Sequence, residues 1–188
     1  MSFFDETKNF GLVLLICAVL SIVFAVFMMT VGIDNTKMGV LAGVGTIVGA
    51  LIILVYALGV YRGEYLVNID RYMDDASTKF GVLTGFVTVN GVSCIVSAIF
   101  SIIGGDVGGA VLNIVIGVLC FVMAFFMTDN EKGIADNVIF IILAIIFVLM
   151  IIGGILTLIV LIGIPILIEG IMLLIMLFSP EVKEKMGM

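Results

Sequence analysis

The sequence predicts an all-α integral membrane protein, with six transmembrane helices arranged as three sequential hairpins in a single membrane domain, 1–188. Hydrophobic residues make up 63% of the chain, whereas soluble domains contain roughly 45–50%. The mean hydropathy is +1.43. Apolar runs long enough to cross a bilayer, about 20 residues each, alternate with short polar loops. We therefore expect a multi-pass protein of the cell membrane.

The stretch 137–180 is the most completely apolar part of the chain. Glu169 is its only ionisable residue. A continuous helix of this length would be about twice as long as the hydrocarbon core of a bilayer is thick. We therefore expect this stretch to fold back on itself as a hairpin, with its apex near 158–163.

The other apolar runs divide in the same way into pairs of helices. An amphipathic segment is predicted at about 64–75, because apolar residues recur there at helical spacing with charged residues opposite, a pattern that favours the membrane interface. The charged tail, 181–188, is predicted to be soluble. The predicted helices are about 10–31, 38–61, 80–103, 110–127, 137–158 and 162–179.

The basic residues predict the orientation of the six spans. Lys37 alone falls on one side of the predicted membrane. Basic residues in short loops are retained in the cytoplasm, so both termini are expected to be cytoplasmic. The residues on the cytoplasmic side would be Lys8, Arg62, Arg71, Lys79, Lys132, Lys183 and Lys185.

The second helix carries two pairs of glycines spaced four residues apart, Gly39/Gly43 and Gly45/Gly49. Such small-residue faces let neighbouring helices approach closely in lipid. We expect this face to pack within the bundle or across a homo-oligomer, and an ion or gas path along it is the alternative. The expected partners are the lipid bilayer and either a second copy of the chain or another membrane protein.

The third helix has a polar stripe, formed by Asn90, Cys94, Ser97 and Ser101, that is predicted to face the bundle interior. Asn90 and Glu169 both lie about 15 Å deep in their predicted spans. Desolvation favours a neutral carboxylic acid, which could donate a hydrogen bond to the Asn90 amide. This intramembrane polar pair would either lock helix 3 to helix 6 or take part in proton-coupled transport.

The composition argues against several classes of function. The chain contains no histidine, and its three cysteines lack CxxC spacing, so we predict no metal site, no cofactor and no catalytic residues. A net charge of −6 in short loops offers no basic face for nucleic acid. We therefore expect a protein that is not an enzyme.

Glycines punctuate the apolar hairpins, most clearly in Gly153-Gly154-Ile155-Leu156, Gly163-Ile164-Pro165 and Glu169-Gly170-Ile171. In this respect the chain resembles the HdeD-like family of small membrane proteins. The resemblance implies a six-helix fold, and some members of that family are linked to acid-stress resistance. It implies no particular site residue.

Two classes of function remain after these exclusions. The first is a non-catalytic polytopic membrane protein: a scaffold, a stress-associated protein or an accessory subunit of a membrane complex. The second is a small ion or solute transporter or channel, proton-coupled through Glu169. Transport is favoured by the buried acid and the flexible glycines, but the chain has no recognisable selectivity sequence.

Overall fold

The computed structural model describes residues 3, 6–31, 37–129, 133–158 and 163–188, with all their side chains except those of 28, 31, 37–39 and 42. Within these residues the chain is helical and contains no strand. The helices are α1 (Thr7–Val31), α2 (Lys37–Arg62), α3 (Lys79–Gly104), α4 (Val107–Thr128), α5 (Ile134–Leu156), α6 (Gly163–Leu177) and α7 (Pro180–Lys185).

Five helices, α1 to α5, contain segments long and apolar enough to cross a membrane, which establishes an α-helical membrane protein. The predicted bounds of the first six helices agree with the structure to within three residues. The apolar helix α6 has only 15 residues and is about 22 Å long, shorter than a hydrocarbon core of about 30 Å. The sixth span therefore stays a prediction, and residues 159–162 of the predicted apex lie outside the described residues.

Helix α3 is the central element of the bundle. It packs against α2 and α4 on either side and also contacts α6 and α7. Every residue from Phe80 to Val89 is buried. The third hairpin, α5 with α6, joins the other helices mainly through α6 and α1, and α5 touches α4 only lightly.

Several chain segments meet at the end of the bundle where α3 begins. The Thr7 hydroxyl at the start of α1 donates a hydrogen bond to the Ser77 carbonyl, 3.2 Å away. The Lys185 ammonium of α7 lies 3.7 Å from the Asp74 carboxylate. The start of α1 and the C-terminal helix thus lie at the same end of the molecule.

The segment between α2 and α3 forms a series of turns, which differs from the helical amphipathic segment predicted at 64–75. Besides the hydrogen bonds of these turns, some of its backbone groups bond to threonines of α3. The Asp74 amide donates to the Thr84 hydroxyl at 3.2 Å, and the Thr88 hydroxyl donates to the Tyr72 carbonyl at 2.7 Å. Arg71 has a left-handed backbone, with φ of 74°, which interrupts any helix. The location of the segment 64–75 in the membrane interface stays a prediction.

Most apolar side chains of this segment pack inward, whereas Leu66 and Val67 are exposed. Met73 and Ala76 are buried, and Tyr65, Ile69 and Tyr72 pack against the core. The apolar spacing in the sequence therefore reflects a buried face, although the backbone that carries it is not helical.

The tail, predicted to be soluble and charged, forms the short helix α7. Ser179 is its N-cap residue and Pro180 occupies its first turn, a position that proline favours. Val182 and Met186, four residues apart, are both buried. This spacing in the sequence is the signal by which the helix could have been predicted.

Glycines allow the two helices of each hairpin to approach closely. A Cβ atom added at Gly11 would lie 2.5 Å from the Tyr61 backbone nitrogen, and one at Gly154 would lie 2.7 Å from that of Leu167. Neither backbone can move away without separating the helices. The glycines at such contacts between paired helices are Gly11 in the first hairpin, Gly91 and Gly117 in the second, and Gly154, Gly163 and Gly170 in the third.

The predicted glycine face of α2 points in two directions. A Cβ atom added at Gly43 would lie 2.6 Å from Met29 of α1. One added at Gly45 would lie 3.4 Å from Phe100 of α3, and one at Gly49 would lie 3.8 Å from Ser93 of α3. Gly39 lies outside the described side chains. Helix α2 therefore uses these positions against both of its neighbours, and a homo-oligomeric contact stays a prediction. The four glycines are Gly39, Gly43, Gly45 and Gly49.

The adjacent glycines 153 and 154 provide a matched pair of substitutions. Gly154→Ala should destabilise the protein by about 1–3 kcal/mol, because the new methyl group would overlap the backbone of Leu167. Gly153→Ala should be neutral or stabilising by up to about 1 kcal/mol, because nothing lies within 4 Å of its added Cβ. Unfolding of the detergent-solubilised variants, followed by circular dichroism, measures both effects. Equal stability of the two variants would contradict the close contact between α5 and α6.

Candidate functional site

Glu169 lies on α6 and is 9% exposed. Its carboxyl group is close enough to the Cys17 thiol of α1 to interact with it electrostatically. The side chain makes no hydrogen bond to any of the described residues. A buried acid is therefore held between apolar helices at the contact of α6 with α1.

Asn90, the predicted partner of Glu169, is half-buried on α3. Within the described part of the chain, no hydrogen bond joins the Asn90 amide to the Glu169 carboxyl group. The depth of a residue along its helix can be counted from the sequence, but the direction in which it points depends on how the helices pack. The Glu169 carboxyl group interacts electrostatically with the Cys17 thiol of α1, and its proximity to Asn90 stays a prediction.

The buried polar side chains of α3 lie elsewhere than on the predicted stripe. Thr84, Thr88 and Ser93 are buried. The first two bond to backbone groups of the segment between α2 and α3. Their role was missed because a threonine in an apolar helix gives no sign of which loop will reach it. The four residues of the predicted stripe are only half-buried: Asn90, Cys94, Ser97 and Ser101.

The start of α3 is capped by side chains from two parts of the chain. The Glu181 carboxylate of α7 accepts hydrogen bonds from the backbone amides of Lys79, at 2.8 Å, and Phe80, at 3.3 Å. The Thr78 hydroxyl accepts one from the Gly81 amide at 2.9 Å. These bonds satisfy amides that a helix leaves free at its N-terminus.

Two tyrosines connect this end of the bundle to its apolar body. The rings of Tyr56 and Tyr65 are stacked, with centroids 5.8 Å apart. Their hydroxyls donate to the carbonyls of Val82 and Gly81 respectively. Burial raises the pKa of Tyr65 above its usual range, and the nearby Asp74 carboxylate raises it further. The Tyr65 hydroxyl is thus held as a neutral hydrogen-bond donor at physiological pH.

The acidic residues of the segment between α2 and α3 make separate contacts. Asp74 faces Lys185, while Asp75 accepts a hydrogen bond from the Ser77 amide at 2.9 Å, and the hydrogen bonds from Ser77 lower its pKa. Among the described residues, no group of three aspartate, glutamate or cysteine side chains is arranged to hold a metal ion. The three cysteines are free thiols.

These features define the class of the protein: an α-helical polytopic membrane protein with a capped polar end and a buried acid, Glu169, among the apolar residues of α6. Comparisons of the chain with protein-family models, with curated proteins and with solved structures find no match. The resemblance to the HdeD-like family therefore stays a prediction.

The cap formed by Glu181 can be tested by substitution. Glu181→Ala should destabilise the protein by about 1.5–3 kcal/mol, because two backbone amides at a partly buried helix start lose a charged acceptor. Glu181→Gln should retain part of that stability, since its amide oxygen can still accept. Asp70→Ala, which removes an exposed carboxylate at the same end, serves as the control. The measurement is thermal unfolding in detergent, and equal midpoints for the Glu181 and Asp70 alanine variants would exclude the cap as a source of stability.

Proposed function

We propose that this chain is a non-catalytic protein of the cell membrane that acts as a scaffold, a stress-associated protein or an accessory subunit. Its partners would be lipid and either another copy of the chain or a different membrane protein. The association with stress rests on the resemblance to the HdeD-like family. The remaining support comes from the packing of the bundle.

The observation that carries this proposal is the filled apolar core. Large apolar side chains contributed by five helices, all less than 2% exposed, occupy the interior together with residues of α7. A solute pathway needs polar or water-accessible groups along its length, which favours a packing role over a conducting one. The largest of these side chains in α1 to α6 are Phe10, Leu14, Leu83, Leu143, Phe147, Met172, Leu173, Met176 and Leu177.

The outer surfaces of α4 and α5 support a role in assembly. Most of their residues are exposed and apolar, including Leu119 and Val122 of α4 and Ile145 and Leu149 of α5. The two helices touch only lightly, so they present a broad apolar surface that either lipid or another membrane helix can cover.

We further propose six spans with both termini in the cytoplasm. The contacts that bring α7 to the start of α3 support an even number of crossings, and the distribution of basic residues supports the cytoplasmic side. Reporter fusions after Asp34, Asp106 and Met188 test this topology. The first two are expected to report extracytoplasmic positions and the third a cytoplasmic one. The opposite pattern at all three would invert the topology.

A second candidate function, proton-coupled transport, is favoured by one observation. Glu169 is a buried acid without a hydrogen-bond partner among the described side chains, and intramembrane acids often mark ion or proton pathways. If Glu169 only contributes to packing, Glu169→Gln should leave the protein folded and fully functional. If it carries protons, the same change should abolish coupling.

One set of purified proteins separates the two functions. The native chain and Glu169→Gln are reconstituted in vesicles for pH-driven flux measurements. In parallel, both are captured from native membranes in mild detergent, and the recovered proteins are identified by mass spectrometry. The proposal predicts no flux above protein-free vesicles, and a stoichiometric partner or homo-oligomer retained by both proteins. Flux through the native chain that is lost in Glu169→Gln would contradict the proposed packing role and support proton-coupled transport.

A further inference from the structure

An apolar cavity lies on the outer side of α2 and α3, where the segment between these helices folds over them. Its volume is about 370 Å³, within the range of small-molecule sites, about 300–1,000 Å³. Leu51 and Val55 of α2 and Val92 of α3 form part of its wall, and Leu66 and Val67 contribute from the intervening segment. Leu51 and Val55 are more than 40% exposed, so the cavity opens on the surface that faces lipid.

A second cavity of about 310 Å³ adjoins the first, and Tyr65 and Met73 line both. It is polar and acidic, with Glu64, Asp74 and Asp75 in its wall. No lysine or arginine is among the described residues that line it. Lys185 makes a single long contact of 3.7 Å with Asp74, and both side chains are at least one-third exposed.

We propose that these two cavities together form a binding site for a single-tailed cationic amphiphile, such as a long-chain alkylamine or a quaternary ammonium compound. The alkyl tail lies in the apolar cavity between α2 and α3. The cationic head lies in the acidic cavity beside Tyr65.

The charge of the site selects this occupant. Three carboxylates around one polar cavity attract a cation and repel an anion. A phosphate-bearing lipid headgroup would bring negative charge to a cavity without a basic residue in its described wall. The ring of Tyr65, at the junction of the two cavities, adds an aromatic face, which favours ammonium groups.

The geometry suits an amphiphile that enters from the membrane. Along α2 the apolar cavity extends from Val48 to Tyr56, about 12 Å at the helical rise. Tyr65 and its hydrogen bond to Gly81 stand at the polar end of this length. The apolar part is therefore reached from the lipid-facing surface, while the acidic part lies at the end where the loops and α7 meet.

The tyrosines of the chain provide the signal for a test. The sequence contains four tyrosines and no tryptophan, and only Tyr56 and Tyr65 line the apolar cavity. In a Tyr61→Phe/Tyr72→Phe background, all tyrosine fluorescence therefore comes from the site. The full chain in this background is reconstituted in vesicles of uncharged digalactosyl lipid. The probe is 4-bromododecyltrimethylammonium, whose bromine lies near Tyr56 and Tyr65 and quenches their fluorescence when the head occupies the acidic cavity and the tail the apolar one.

The expected result is saturable quenching at a membrane concentration about fivefold lower than that required for the uncharged probe 4-bromododecanol. Unbrominated dodecyltrimethylammonium should relieve it by competition. Equal quenching by the cationic and uncharged probes would overturn the proposal. If phosphatidylcholine reduced the quenching as strongly as dodecyltrimethylammonium does, the proposal would also be overturned, because the site would then bind a zwitterionic lipid.

Variants assign the two cavities separately. Glu64→Gln/Asp74→Asn should remove the preference for the cation, whereas Asp70→Asn/Glu6→Gln, which removes the same charge outside the cavity, should keep it. Val55→Phe should weaken the binding of both probes, because the larger side chain fills the apolar cavity. Val148→Phe, a similarly exposed position in an apolar cavity between α5 and α6, should not. Loss of the preference in the Asp70/Glu6 control, or unchanged binding in Val55→Phe, would contradict the assignment. Circular dichroism confirms that each variant is folded.

Discussion

The first turn of α3 must begin in a crowded, partly buried place, and its free backbone amides need acceptors there. Water cannot supply them freely, because the first half of this helix is buried on every side. The Glu181 carboxylate and the Thr78 hydroxyl supply them instead. This requirement brings the C-terminal helix back to the bundle, and the rest of the polar end is built around it.

The same need to pair buried polar groups determines the conformation of the segment between α2 and α3. Thr84 and Thr88 lie on the buried half of α3, and their hydroxyls hold the backbone of the segment, so polar groups that would be costly in an apolar core are paired. The segment in turn covers one side of α2 and α3, with Tyr65 at its edge. The polar end of the bundle therefore adjoins its apolar body beside Tyr65, and the proposed amphiphile site lies at this boundary.

Hydropathy was sufficient to predict where the helices begin and end, because length and apolar content decide which segments can cross a bilayer. It could not predict what depends on rotation about the helix axis. Gly153 and Gly154 are indistinguishable in the sequence, yet only the second contacts a neighbouring backbone. The depth of Glu169 can be counted along its helix, but its electrostatic contact with Cys17 of α1 depends on how α6 packs. The turns before α3 could not be predicted, because their stability comes from distant contacts with α3. For α7 the signal was only the spacing of Val182 and Met186.

The position of Glu169 links its chemistry to the mechanics of the bundle. The third hairpin joins the others mainly through α6, and the contact of α5 with α4 is slight. Glu169 lies on this joining helix, near α1. A neutral carboxylic acid is tolerated in such an interface, whereas a carboxylate without a partner is costly. A change of charge at this one residue would therefore act on the contact that holds the third hairpin to the first two, whether that contact serves assembly or transport.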